Sequence, residues 1–343
     1  MRPSSMTATA LALLARRILT ALPIMLIVAA LVFTVLRLLP ADPLGMSLPP
    51  NASQADVAAM RAEMGFDRPI AEQFMIWLDH LSHGDLGTSI HFRRRVAGMI
   101  LTALPTTLEL VAFGLTLGVA IGVAFGMTMF AWRGTVREQL LDVGSTVVMS
   151  IPEFLWAILL ILGVGVGLGL LPFIGRIDPQ MTVPATTGFL LVDAVLAGRP
   201  AAFLSVLAHL LLPALALALA LAPLIMRVLR SSLIDTYLED YITLARLRGV
   251  GKHRILWRHA LKNAALPTLS LIGVQAGFMF GGTLLVEVIY AYPGIGSLMV
   301  DAVRNHDLPL IQGIALTYCV VVLVINTSVD ILYLMLNPKL RRQ

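Results

Sequence analysis

Carboxylates at the borders of long apolar stretches are the first residues whose chemistry asks for a reason. Glu109, Asp142, Glu153, Glu287 and Asp330 flank or interrupt uncharged runs, where an ionised group is costly unless paired or hydrated. Glu153 and Glu287 fit two roles, lining a pathway or gate, or pairing with Arg37, Arg304 or a helix end; for Asp330 the pairing role leads. His209 lies inside such a run and reads as a packing histidine. His80 and His83 stand three apart beside Asp79 and Asp85. That spacing can hold a metal on one helix face, but solvated helices often show it without one, and no metal ligand is assigned. Gly249-Val250-Gly251-Lys252-His253 mimics a phosphate loop, yet Arg246 stands in place of the first glycine and His253 in place of Ser/Thr. No nucleotide site and no catalytic residue follows from it. Neither Gly-x-Ser-x-Gly nor His-Glu-x-x-His occurs, which argues against a membrane-embedded hydrolase. Cys319 is the single cysteine, so an intrachain disulfide is excluded.

The elements that would carry these groups are membrane helices. The 343 residues are 58% hydrophobic and only 13% charged, with mean hydropathy +0.86, too apolar for an ordinary water-soluble globule. Six runs lack any Asp, Glu, Lys or Arg: Ile18 to Leu36, Leu110 to Trp132, Phe154 to Leu171, Phe203 to Met226, Ala264 to Val286 and Leu308 to Val329. Each approaches the roughly 20 residues of helix that cross a hydrocarbon core, and runs of that length must satisfy their backbone internally as helices. The expectation is an all-α polytopic protein with six transmembrane helices. A seventh apolar stretch, Met181 to Gly198, contains Asp193 and Pro184 and reads as interfacial or periplasmic.

Basic residues set the orientation, because positive loops stay in the cytoplasm. With both termini inside, 16 of the 25 Lys and Arg face the cytoplasm, eight of them between Arg227 and Lys262; Arg93-Arg94-Arg95 falls on the opposite side, after a long exported segment. The net charge of +5 follows from this topology and needs no nucleic acid as partner. Arg16-Arg17 ahead of the first run suggests a secretory signal, but that run leads into Arg37 and Pro40-Ala41-Asp42-Pro43, so an uncleaved first helix is expected.

An outside segment of about 60 residues, 39–101, lies between the first and second spans. Within it Ser53-Gln54-Ala55-Asp56 reads as the start of a short helix ended by Gly65, and Pro69 opens a second amphipathic helix through Phe74, Trp77, Leu78 and Leu81 to Gly84. The expected organisation is a cytoplasmic N-terminus (1–17), a first transmembrane helix (18–38), a periplasmic helical segment (39–101), a transmembrane core (102–334) with its main loop at 227–262, and a cytoplasmic tail (335–343). Gly114, Gly118, Gly122 and Gly126 share one helix face and predict close helix packing; alternating Gly163, Gly165, Gly167 and Gly169 predict an irregular helix end, and Pro213 and Pro223 predict kinks.

The loop from Arg227 to Lys262 is patterned as two short amphipathic helices around a glycine turn. Asp235 to Arg248 places Leu238, Tyr241, Ile242 and Ala245 at helical spacing, Gly249-Val250-Gly251 stops it, and Lys252 to Asn263 leads on to Pro267. A short helix with an apolar face and no core of its own must dock on lipid or in a protein groove.

Asp240-Tyr241-Ile242-Thr243-Leu244-Ala245-Arg246-Leu247-Arg248-Gly249, followed by Arg258-His259-Ala260-Leu261-Lys262-Asn263-Ala264-Ala265-Leu266-Pro267, resembles the cytoplasmic signature of ABC importer permeases in its dipeptide/oligopeptide form. Thr243-Leu244-Ala245 stands where many relatives have Glu-Ala-Ala. Landmarks along nearly the whole chain share the resemblance, among them Gly84-Asp85-Leu86-Gly87, Leu104-Pro105-Thr106-Thr107-Leu108-Glu109-Leu110, Ser150-Ile151-Pro152-Glu153-Phe154, Gly281-Gly282-Thr283 and Pro293-Gly294-Ile295-Gly296. They are similar to the B type of the two permeases in such importers. The resemblance implies a type I ABC importer transmembrane domain, with Tyr241, Ala245 and Gly249, and around them Leu238 and Ile242, on the helix that couples to the ATPase. It further implies a second homologous permease of the C type, two ATPase subunits that bind ATP and Mg, a periplasmic substrate-binding protein, surrounding membrane lipid, and no cofactor in this chain. Dipeptides, longer peptides, nickel complexes or other small solutes are the implied cargo. An ion-coupled secondary transporter is the alternative, but it would need ionisable or broken-helix sites near midplane, and the runs here are nearly charge-free.

Overall fold

The structure is a computed structural model that describes the backbone of residues 4–38 and 67–336, with side chains for 19–38 and 67–331. The helix expected from Ser53 to Gly65 and the tail at 337–343 lie outside the described residues. Helix dominates what is described. Five helices are long and apolar enough to cross a membrane, and a sixth span arises if a bent pair counts as one. Two compact units divide the chain, one made of Met1–Thr106 with Pro293–Leu323, the other of Thr107–Tyr292 with Val324–Gln343.

The first unit contains α1 (Ser4–Leu38), α2 (Ile70–Ser82), the start of α3 (Val96–Ala131), α10 (Ile295–Arg304) and the start of α11 (Leu308–Leu336). α2 follows the expected amphipathic stretch: Pro69 precedes it and Gly84 terminates it at φ +77°. Its Phe74 and Trp77 rings lie 5.3 and 5.6 Å from buried Phe33 of α1, over which the Arg37 guanidinium sits at 5.0 Å. A separate core joins Val96, Met99, Ile100 and Ala103 of α3 to Ile295 and Ala302 of α10 and Leu310, Ile311 and Ile314 of α11. Beside it the fully buried Asp307 carboxylate accepts hydrogen bonds from Ser89 Oγ and from the backbone N–H groups of Ile90, His91 and Leu310. It thereby ties down the turn that carries Arg93-Arg94-Arg95, where Arg93 adopts φ +53°.

The second unit holds the rest of α3, then α4 (Val136–Ser150), α5 (Glu153–Gly167), α6 (Leu190–Leu196), α7 (Pro200–Leu238), α8 (Asp240–Leu247), α9 (Lys252–Ile289) and the end of α11. The glycine ladder of α3 packs on α7 as its period predicts. A Cβ on Gly114, Gly118, Gly122 or Gly126 would come within 3.3, 2.9, 2.7 and 3.0 Å of α7 atoms, so the two backbones approach as only glycine allows. α7 runs unbroken through Pro213 and Pro223, both buried.

The third expected span differs most from its apolar run. α4 and α5 meet at 97° across Ile151-Pro152, because proline denies the helix a backbone donor and disfavours helical geometry in the residue before it. α5 is 15 residues long, about 22 Å of ideal helix, which is short of a hydrocarbon core by itself. Its last seven residues, Ile161–Gly167, are π-helical, the irregularity foreshadowed by the alternating glycines. α6 has only seven residues, about 10 Å, and cannot cross a bilayer alone.

Candidate functional site

The loop between α7 and α9 is built differently from its expected two-helix pattern, and the difference decides which side chains are free. α7 extends to Leu238; the break falls at Glu239, whose ψ of 144° leaves the helical region, and α8 starts at Asp240 rather than at 235. Leu238 therefore ends the long helix and is 78% exposed. α8 closes with a Schellman arrangement: Gly249 takes φ +76°, its N–H donates to Arg246 O at 2.9 Å and that of Val250 to Ala245 O at 3.1 Å. After it, α9 rises without interruption from Lys252 through a π-helical turn at Ile255–Ala260 and through Pro267, so the expected second short helix is the foot of a spanning one.

Ile242 and Ala245, which share a face as expected, turn it inward. Both are buried in a cluster with Phe130, Leu229, Leu233, Ile255, Ala260 and Ala264, so they anchor α8 and leave nothing for an outside partner. Tyr241 stays partly exposed, and its hydroxyl accepts from Asn263 Nδ2 at 2.7 Å, clamping α8 to α9. The free apolar side is Leu244 and Leu247, 47% and 80% exposed, together with Leu238. Neither Leu244 nor Leu247 was singled out by the sequence, because periodicity finds an apolar stripe but cannot say which side a neighbouring core will claim.

Carboxylates gather in a second place. Glu287, fully buried on α9, accepts from Thr107 Oγ1 at 2.6 Å. Glu109 accepts from Arg176 Nη2 at 2.7 Å and from the Leu191 N–H in the first turn of α6 at 2.7 Å. Glu109 is thus a paired carboxylate, with Arg176 and a helix end as its partners. Tyr292 lies among these charges: burial pushes its phenol above the ordinary value, with Glu109 and Glu287 adding to the rise and Arg176 opposing it. Arg176 sits in an irregular stretch without periodicity, which left no sequence signal for its role. Glu153 opens α5 beside α9, where a Cβ on Gly282 would lie 2.8 Å from its carboxyl carbon. Two landmarks 129 positions apart in the chain are thereby brought into contact. Asp142 lies 3.4 Å from the Arg227 guanidinium.

Asp193 on α6 shows how a polar side chain holds a loop. Burial alone would raise its carboxyl, but hydrogen bonds from Thr187 Oγ1 and from the N–H groups of Thr187, Gly188 and Thr186 outweigh that and hold it below the usual carboxylate range. His83, which is exposed, donates from Nδ1 to Asp79 O, and His209 donates from Nδ1 to Ser205 O one turn back in α7. Among the described residues no three His, Cys, Asp or Glu side chains converge as metal ligands.

Comparison with known proteins adds relatives across the full length. Residues 114–342 match the family described as binding-protein-dependent transport system inner membrane component, and residues 10–111 match its N-terminal family. The di/tripeptide transport system permease protein DppB of Pseudomonas aeruginosa is 33% identical over 334 residues, 97% of this chain and 99% of that protein. The dipeptide transport system permease protein DppB of Escherichia coli K12 is 32% identical over 96% of this chain and 98% of its own length. The glutathione transport system permease protein GsiC of Salmonella paratyphi A is 33% identical over 95% of this chain and 97% of its own. In structure, a chain of the MetNI methionine ABC transporter in an inward facing conformation aligns with TM-score 0.53, covering 70% of this chain and 96% of that one at 14% identity.

Proposed function

The chain belongs to the binding-protein-dependent transport system inner membrane component family, and from that membership we propose that it is the B-type permease of an ATP-driven importer for peptides or similar small solutes. It is a multi-pass inner-membrane protein. With a second, homologous permease of the C type it lines the pathway; a periplasmic binding protein delivers the solute, and two ATPase subunits that bind ATP and Mg drive alternating access. Both termini and the α7–α9 loop face the cytoplasm. The peptide cargo is supported by the names of the full-length relatives, which move di- and tripeptides and glutathione.

The observation that carries the mechanism is the construction of α8: capped by a left-handed glycine, anchored through Ile242 and Ala245, and presenting Leu244, Leu247 and part of Tyr241 outward. A rigidly mounted helix with a free apolar side fits the groove of a moving partner. Motion delivered there passes to α7 and α9, because the anchoring cluster includes Leu229, Leu233 and Ala264 of those helices. Gly249 keeps the helix end in register, and Glu153 and Glu287 act where α5 and α3 meet α9, as gate or pathway groups.

Reconstitution of both permeases with their ATPases and binding protein in liposomes tests the reading. Uptake of a labelled dipeptide should require internal ATP and the binding protein. Uptake by the purified chain alone in ATP-depleted, ion-energised vesicles would overturn it in favour of an ion-coupled carrier.

A further inference from the structure

Two guanidiniums converge on one aromatic ring in the second unit. Arg133, just past the end of α3, lies 4.5 Å from the Phe130 ring centroid and 5.6 Å from that of Tyr237; Arg246 of α8 lies 5.2 Å from the same Tyr237 ring. They border a cleft of about 670 Å³ whose other polar lining is Lys252 and His253. No carboxylate lines it among the described residues. Glu138 acts on Arg133 through space, but its carboxylate is engaged by Arg230 and the Gly134 N–H.

Like charges packed around a common cavity repel, and an anion placed between them relieves that repulsion. Stacking on Tyr237 and Phe130 leaves guanidinium N–H groups at the ring edges as donors, Arg133 spending Nη1 on Phe130 O at 3.3 Å, and their fork geometry matches the paired oxygens of a phosphate. The place of the cleft supplies the second half of the argument. The uncharged length of α3 ends at Ala131, and the cleft lies at that polar end, past Arg227 and Arg230 of α7. Trp132 and Trp257 beside it are 36% and 52% exposed, as indoles are at a bilayer interface.

We infer that this cleft binds the phosphate of an anionic phospholipid, through Arg133 and Arg246 with Lys252 and His253, in the leaflet that faces the cytoplasm. The leaflet rests on the orientation given under the proposed function; the phosphate chemistry does not. A bound headgroup bridges the end of α3 to α8, and so couples the docking helix to the lipid around the importer.

Native mass spectrometry of the delipidated importer complex, titrated with phosphatidylglycerol or with phosphatidylcholine of the same acyl chains, measures this directly. Phosphatidylglycerol should bind tighter, and the double variant Arg133→Gln, Arg246→Gln should weaken it about 25-fold, roughly five-fold for each cation lost near a membrane surface. Arg133→Lys with Arg246→Lys keeps the charge without the guanidinium fork and should recover part of the selectivity lost in the Gln variant, separating loss of charge from loss of fold. Equal binding of the two lipids, or an unchanged affinity in the Gln variant, overturns the site. Displacement of the lipid by millimolar inorganic phosphate overturns the lipid in favour of a free anion. Loss of ATPase subunits from the Gln variant with lipid binding intact reassigns the cations to a protein contact and overturns it as well. Thiol labelling of Leu247→Cys in a Cys319→Ser background gives the orientation independently: labelling from outside the cell overturns the leaflet and the importer topology together, while failed selectivity overturns the cleft alone.

Discussion

Replacement of Gly249 isolates backbone conformation from every other effect. The residue holds φ +76°, and no atom lies within 4 Å of where a Cβ would stand, so a side chain meets no clash and only the left-handed geometry is charged against it. An L-residue there costs roughly 1–2 kcal/mol, and Asn, which tolerates the region, costs less. Alanine, near the lower figure, corresponds to about a five-fold loss of correctly capped α8, and β-branched valine, near the upper, to about thirty-fold. The buried anchors Ile242 and Ala245 keep the helix attached, so the strain appears as a displaced end at Leu247 and not as global unfolding. Binding-protein-stimulated ATP hydrolysis by the assembled importer in liposomes reads it out. The expected order is Gly249, then Gly249→Asn, Gly249→Ala and Gly249→Val, with thermal stability in detergent nearly constant. Full stimulation in the Val variant, or an Asn variant as poor as Val, would refute the reasoning.

Ile242→Ala removes a fully buried side chain and should destabilise the protein by about 2–5 kcal/mol in detergent melts, whereas Leu247→Ala, 80% exposed, should leave stability within about 0.5 kcal/mol and weaken co-purification of the ATPase. Gly122→Ala places a Cβ 2.7 Å from Ile225 Cβ and should cost about 1–3 kcal/mol by overpacking, more than Gly114→Ala, where the nearest atom is 3.3 Å away; thermal unfolding ranks the two. Because the folded state lowers the Asp193 carboxyl, its contribution is present above the unfolded value of about 3.9 and is lost as pH falls through the folded value. The protection factors of the Thr187 and Gly188 amides, corrected for intrinsic exchange at each pH, should thus stay high near neutral pH and fall only in acid, an acid response that Asp193→Asn should abolish. Glu109→Ala strands Arg176 in a buried site and should cost about 3–5 kcal/mol, with the added change Arg176→Met recovering part of it; a double variant no better than the single would show that the pair is not coupled.

Membrane class, helical content and most span positions were legible in the chain because bilayer thickness imposes a long uncharged run on any crossing helix, and a run is a local property. The glycine stop at 249 and the start of α2 after Pro69 were legible for the same reason: backbone limits of glycine and proline act on neighbours in sequence. The glycine face of α3 was also readable from its period, though its partner α7 was not. What tertiary structure decided concerns pairs far apart in the chain. Arg176 answering Glu109, Gly282 yielding to Glu153 and two arginines meeting at Tyr237 depend on which helices lie side by side, and no periodicity within one helix records that. The face of α8 shows the division within a single element. Its residues and its cap could be read in order, but whether Ile242 or Leu247 met the outside awaited the core formed by α3, α7 and α9, which buried one and released the other.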